Sequence, residues 1–460
     1  MLFARAAALL VAALAVLLYL APTAIGLEGE LGPPAAIVLL GLGFWATGAL
    51  PAHQTALLVF VLATVLEIAP PAVIFSGFAS TGLWLVFGGL VIAAAIEGTG
   101  LGRRLARLVV VHLNGSYGRI IYGSVAIGVG LSFLVPSAMG RIVILLPIFR
   151  VLAGELGFKP GSRGAVGIML AAALGSFMPS FAILPANLPN MVLLGAMETI
   201  YGIGISYGEY LLLQFPVLGL GKAVLLAELV RRSFCDRPSV QGAGTGPEPL
   251  PPWSGPERRL FAILMLALVF WASDWLHGIS PGWIALAAAL FCLLPGIGVI
   301  DTQTFETRIN FSSFIYVAGM LGLVSLIDRS GLARALGETF LQWLPLSPGA
   351  DASNFAALVG LSTATPLVTA VAGMPAVLTP LAAPMAEAAD LPLLTVLMTQ
   401  VVGFSSLAFP YQSPPLMVAL QLARVPLGIA TKLTLALSLA TLLLLAPLVF
   451  LWWRWLGHLG

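Results

Sequence analysis

Apolar residues come in long unbroken runs. The stretches at 6–22, 34–50, 54–69 and 82–97 are each close to the roughly 17–25 residues a helix needs to cross a hydrocarbon core of about 30 Å. Similar runs lie near 165–200, 209–230, 259–276, 282–299, 311–327, 391–423 and 431–453, and two broken ones occupy 120–153 and 353–386. The short alternating segments of a membrane β-barrel do not occur. The pattern predicts an all-α polytopic membrane protein with about 11 transmembrane helices plus two re-entrant hairpins, 120–153 and 353–386. The first run follows a short basic head, as in a signal peptide, but it is long enough to span and another follows at once, so it is read as a span.

The hydrophilic interval Arg231–Arg259, rich in Gly, Pro and Ser, falls mid-chain and reads as a linker. The expected organisation is a first repeat over 1–232 with its leading helices, a linker over 233–258 and a second repeat over 259–460. The halves resemble each other. Glu97 pairs with Asp328, Gly100-Leu101 with Gly331-Leu332 and Arg103 with Arg334, and each copy is followed by a broken apolar stretch and a Pro-interrupted one. A duplication with interrupted helices in matching places points to a secondary transporter with its site near the midplane.

Composition agrees. Hydrophobic residues make up 59% of the 460 and charged residues 9%, against about 25% charged in soluble proteins. A net charge of +2, scattered over loops, gives no footprint for nucleic acid. Cys235 and Cys292 are too far apart to suggest a metal site or disulfide framework. With the N-terminus cytoplasmic, most Lys and Arg, including Arg103, Arg104, Arg107, Arg231, Arg232 and Arg308, fall inside. The halves are then inverted, the linker is cytoplasmic, and a bacterial inner membrane is the expected location.

Four segments put Gly or Pro among small or polar residues inside apolar runs: "VPSAMGRIV" from Val135, "ILPANLPNMV" from Ile183, "AVAGMPAVL" from Ala370 and "AFPYQSPPLMV" from Ala408. In lipid such breaks survive only where protein or a water-filled cavity satisfies the freed backbone groups. Broken helices aim positive N-terminal ends into the break, which favours anions, while exposed carbonyls can hold cations. A proline kink that only shapes packing is the plainer reading of any single segment. Paired breaks in two repeats favour a site. Candidate anion contacts are Ser137, Gly140, Arg141, Asn187, Asn190, Gln412, Ser413 and Pro414. No Gly-rich Lys-Ser/Thr motif for ATP occurs, and no acid- or His-rich cluster suggests an enzyme.

The order of these features resembles the divalent anion/sodium symporter family of the wider ion transporter superfamily. Members carry Ser-Asn-Thr-x-Thr at each hairpin tip and a Thr-Pro-Pro-Asn-like break in a following helix. Here "SAMGRIVILLPI" from Ser137 aligns with the first tip, Pro189 and Asn190 with the first helix break, and Pro414 and Pro415 with the second. The resemblance implies a homodimer in which a transport part moves against a scaffold, carrying a small anion, di- or tricarboxylates first and sulfate second. It also implies sodium, but Ala138, Met139 and Arg141 replace Asn, Thr and the second Thr, and the second tip has lost its side-chain polarity. A hard cation wants several oxygen ligands, so no cofactor is expected and sodium is weakly supported. Arg141 could replace that cation and bind the anion with its planar fork. It could instead pair internally with Glu97, Glu387 or Asp390, or snorkel to the cytoplasmic face. The rivals are a cation/proton antiporter of the same superfamily, a membrane enzyme and a structural subunit.

Overall fold

The computed structural model describes residues 2–25, 29–110, 113, 116–237 and 251–459, and among these all regular elements are helical. Most of the linker, 238–250, lies outside the described residues. A leading helix, α1 (Leu2–Leu20), packs on α2 (Gly32–Thr47). Then come α3 (Ala52–Val65), α4 (Thr81–Thr99), α5 (Leu101–Val110), α6 (Tyr117–Leu134), α7 (Ala138–Glu155), α8 (Arg163–Phe177), α9 (Leu188–Tyr201) and α10 (Tyr207–Ser233), the last containing a π segment at Phe215–Gly219.

The second half repeats the order. It comprises α11 (Gly255–Ala272), α12 (Pro281–Leu293), α13 (Phe311–Arg329), α14 (Leu332–Leu341), α15 (Asp351–Ala364), α16 (Met374–Leu378), α17 (Ala382–Ala389), α18 (Leu393–Phe404) and α19 (Pro414–Ala423). It ends in α20 (Leu427–Trp455), again with a π segment, at Thr441–Leu445. Packing is reciprocal: α4 lies against α12, and its counterpart α13 lies against α3, the counterpart of α12. That exchange is what two copies related by a pseudo-two-fold would produce.

The matched sequence pairs have a local cause. Gly100 and Gly331 take φ of +77° and +79°, a left-handed conformation that glycine adopts without Cβ strain. Each ends a long apolar helix and turns the chain into a short one carrying Arg103 or Arg334.

The stretches read as hairpins each contain helical arms that fold back on one another, over slightly longer ranges than expected. α6 and α7 are joined by three residues, and their far ends meet where the Tyr117 and Phe158 rings lie 5.9 Å apart. In the second half, Asn354 at the start of α15 donates to the Ala389 carbonyl at the end of α17, 3.1 Å away. Each hairpin therefore returns to its own starting end. α6 is nonetheless one of six described helices long and apolar enough to cross a membrane; at about 1.5 Å per residue its 18 residues reach roughly 27 Å. The expected span at 259–276 is shifted to 255–272. The one at 282–299 stops at Leu293, because the chain folds back to give the Val299 and Ile300 N–H groups to Cys292 O.

Candidate functional site

All four sequence breaks are breaks in the structure. α8 ends at Phe177, two 3-10 turns follow (Pro179–Ala182 and Leu184–Ala186), and α9 starts after Asn187. α18 ends at Phe404 and α19 begins at Pro414, after a 3-10 turn at Pro410–Gln412. The hairpin tips are Val135–Ser137 and the segment 365–373. The four breaks converge on one cavity of about 470 Å³. Ser137, Asn187, Ala370–Ala372 and Gln412–Pro415 form one side, and α4 and α13 the other, through residues such as Leu90 and Tyr316. Asn310, at the start of α13, is an exposed residue of the cavity lining.

Broken helices leave orphan carbonyls, and burying one without a partner costs about 1–3 kcal/mol. Here the protein's own donors meet them. Arg141 is 0% exposed. Its Nε donates to Ser176 O at 2.9 Å, one terminal nitrogen to Val135 O at 2.6 Å and Ala186 O at 3.1 Å, and the other to Ser180 Oγ at 2.8 Å. One guanidinium thus ties the first hairpin tip to both sides of the α8–α9 break. Ser180 Oγ also lies 2.8 Å from the Asn187 amide and donates to Phe177 O. Asn190 gives its amide hydrogens to Phe181 O and Ile183 O at 3.1 and 2.9 Å, and the Tyr210 hydroxyl donates to Phe181 O at 2.8 Å.

The second break is closed the same way by different residues. Lys222, also 0% exposed, donates from Nζ to both Ser405 O and Ser405 Oγ at 2.8 Å. Ser438 Oγ donates to Ser406 O and Thr434 Oγ to Ala408 O, each at 2.8 Å. Gln412 Oε1 accepts from the Phe409 N–H at 2.8 Å. The two breaks meet through the Phe181 and Phe404 rings, 5.6 Å apart. Both cations sit where a half-helix ends and its dipole is negative.

Of the expected site residues, Ser137, Asn187, Gln412, Ser413 and Pro414 line the cavity, and Gly140, Arg141 and Asn190 do not. Gly140 N–H instead donates to Ser137 Oγ at 3.1 Å, capping α7. For Arg141 the structure shows neither the acidic partner nor the snorkelling that were the alternatives to substrate contact. It bonds to carbonyls and a hydroxyl rather than to Glu97, Glu387 or Asp390, and full burial rules out snorkelling. Nor does it line the cavity: four of its N–H donors go to the breaks. It stands one residue behind that wall, since Val135 and Ala186 immediately precede Pro136 and Asn187, which do line the cavity. Ser413 lines the cavity although it is 3% exposed.

Sequence reasoning missed Lys222, although a lone lysine in the apolar run 209–230 carries the same signal as Arg141. It also missed Glu198, whose Oε2 accepts from the Thr81 N–H at 2.7 Å and the Thr81 hydroxyl at 2.9 Å, fixing α9 to the start of α4. That contact links residues 117 apart and has no sequence signature. Among the described residues no cluster of three or more His, Cys, Asp or Glu could hold a metal.

A family profile described as the sodium:sulfate symporter transmembrane region matches residues 3–459. A membrane protein of Cupriavidus necator is 28% identical over 407 residues, 83% of this chain and 76% of that one. An L-tartrate/succinate antiporter of Shigella dysenteriae is 26% identical over 282 residues, 57% of this chain and 55% of the antiporter, so the match spans about half of that relative. In fold, the chain is similar to the crystal structure of the Alcanivorax borkumensis YdaH transporter, with a TM-score of 0.56 at 17% identity over 87% of this chain and 89% of that one.

Proposed function

The chain belongs to the sodium:sulfate symporter family, and on that premise we propose that it is a secondary active transporter of small organic anions whose site is the cavity at the four breaks. The relative named as an L-tartrate/succinate antiporter supports carboxylates as the substrate class, with di- and tricarboxylates the first to try. The observation that carries the reading is the convergence of the paired breaks on one cavity with a fixed cation directly behind its wall. Positive N-terminal ends of α7 and α9 reach the same wall at Ser137 and Asn187, and both features favour an anion.

The hydrogen bonds at the breaks support transport without sodium. The break carbonyls that could ligate a hard cation already accept from Arg141, Lys222, Asn190, Tyr210, Ser438 and Thr434. Protein-borne charge stands in for a travelling ion, so a bound anion is neutralised without co-binding sodium. Arg141 acts as a positioning residue: it holds the first tip and the α8–α9 break in register and supplies charge through one layer of backbone.

Alternating access would come from the hairpins with α8–α10 and α18–α20 moving against a scaffold of α2–α4 and α11–α13, in a homodimer. The N-terminus would be cytoplasmic, and the Asn310 end of the cavity would then lie toward the cytoplasm, as the Lys and Arg distribution favours. The test is uptake of labelled succinate, citrate and sulfate into proteoliposomes, with sodium and pH gradients varied separately. Saturable uptake indifferent to sodium supports the reading. Strict sodium dependence would overturn the cation replacement, and absence of any anion flux would overturn the transport assignment.

A further inference from the structure

Two poles of the cavity differ in what they offer an anion. At one stand Ser137 and Asn187, each at the start of a helix, with the Arg141 guanidinium one residue behind both Pro136 and Asn187. At the other, the tip of the second hairpin presents only Ala370, Val371 and Ala372, and the helix that starts there opens with Pro414 and Pro415. Proline has no N–H, so two of the first-turn donors that would cradle an anion are missing. Gln412 and Ser413 are the polar side chains on this side, and both are neutral. Lys222 is bonded to Ser405, eight residues before Ser413, and is not on the wall.

No charged side chain among the described residues lines the cavity. Away from the poles the lining is mostly apolar, with Leu90, Met139, Phe177 and Met191 and with Trp45 and Tyr316 packed edge to face at 5.3 Å, and its polar side chains there, Ser313 and Asn310, are neutral. A second carboxylate placed against that surface would lose its hydration without an opposite charge, at a cost that excludes it from such sites. The volume of about 470 Å³ falls in the range of roughly 300–1,000 Å³ typical of pockets for drug-sized ligands. That is far more space than a tetrahedral oxyanion fills.

We propose that the site takes an organic monoanion with an apolar, ring-sized body: its carboxylate or sulfonate at the Ser137–Asn187 pole, its body against Tyr316, Trp45 and Val371. The assignment rests on the cavity being the transport site and, among the small organic anions named above, puts monoanions ahead of di- and tricarboxylates. One fixed positive charge meets one negative charge. The apolar wall recognises what the charge does not, and a neutral hydroxyl or carbonyl on the far side of the body suits Gln412 and Ser413.

The test is calorimetric titration of the purified full-length protein with four sodium salts: benzenesulfonate, methanesulfonate, sulfate and succinate. Sulfonates are used because they stay charged and do not leak across bilayers as weak acids do. Benzenesulfonate is expected to bind with a negative heat-capacity change, the mark of apolar burial, and the other three to bind at least about tenfold more weakly, since each lacks the ring's apolar area. Val371→Asn should weaken benzenesulfonate by about tenfold and leave methanesulfonate unchanged, because only the ring meets that tip. Should that variant misfold, the comparison of the four salts on the wild type still decides. If succinate or sulfate binds more tightly than benzenesulfonate, and Asn187→Ala abolishes that binding in a folded protein, the monoanion assignment falls while the transport reading stands. If none of the four binds, both fall.

Discussion

Arg141 ties together segments that bound the proposed site without itself lining the cavity. Its four hydrogen bonds reach residues 6, 35, 39 and 45 positions away, joining the first tip to the α8–α9 break. Arg141→Ala would leave Val135, Ser176 and Ala186 carbonyls without this donor. We expect loss of anion uptake together with a stability loss of about 1–3 kcal/mol for each carbonyl left without a donor; thermal unfolding in detergent alongside proteoliposome uptake reads both. Arg141→Lys keeps the charge but not the planar fork, so uptake should fall while the protein stays folded. For Lys222, substitution by methionine keeps the length and removes the donor, freeing Ser405 O. The expected cost is smaller, about 1–3 kcal/mol, with uptake reduced rather than abolished. The cation inside the run 131–150 was legible in the sequence because a charge there must be met. Its partners were not, because nothing local marks which carbonyls a long side chain reaches.

At the scale of the element, the breaks themselves were readable. Pro and Gly inside apolar runs marked all four, and Gly100 and Gly331 marked equivalent helix ends. The departures in the hairpin motif also foretold the apolar second tip at Ala370–Ala372. What escaped were the π segments at Phe215–Gly219 and Thr441–Leu445, which depend on tertiary packing: Gly219 lies against Ala182 in the first break. The crossing of α4 and α9 was equally hidden. A Cβ added at Gly82 would lie 2.6 Å from Gly195 Cα, so these helices touch backbone to backbone, as small residues permit in membranes. They also join the proposed scaffold to the proposed transport part. Gly82→Val should cost about 1–3 kcal/mol from overpacking and halt uptake, measured on the same reconstituted vesicles. Normal uptake by that variant would show that the crossing is neither tight nor part of the moving surface.

For the whole molecule, reciprocal packing of α4 on α12 and α13 on α3 turns a duplicated sequence into one cavity flanked by equivalent elements. Paired residues and repeated order suggested a duplication, but nothing in them marks the direction in which the cavity opens, because that depends on how the halves are disposed. Access is testable with cysteines. In a Cys235→Ser background, with the buried Cys292 retained, Asn310→Cys should react with a membrane-impermeant thiol reagent from the side carrying the linker only. Reaction from the opposite side would reverse the proposed orientation. The central claim is that anchored cations replace a travelling sodium ion at the site formed by the four breaks. Its most direct measurement is exchange of labelled organic anions, succinate and aryl carboxylates alike, across proteoliposomes with sodium fully replaced by choline. The account predicts equal rates in the two media and loss of exchange in Asn187→Ala; exchange that vanishes in choline and returns with sodium would contradict it.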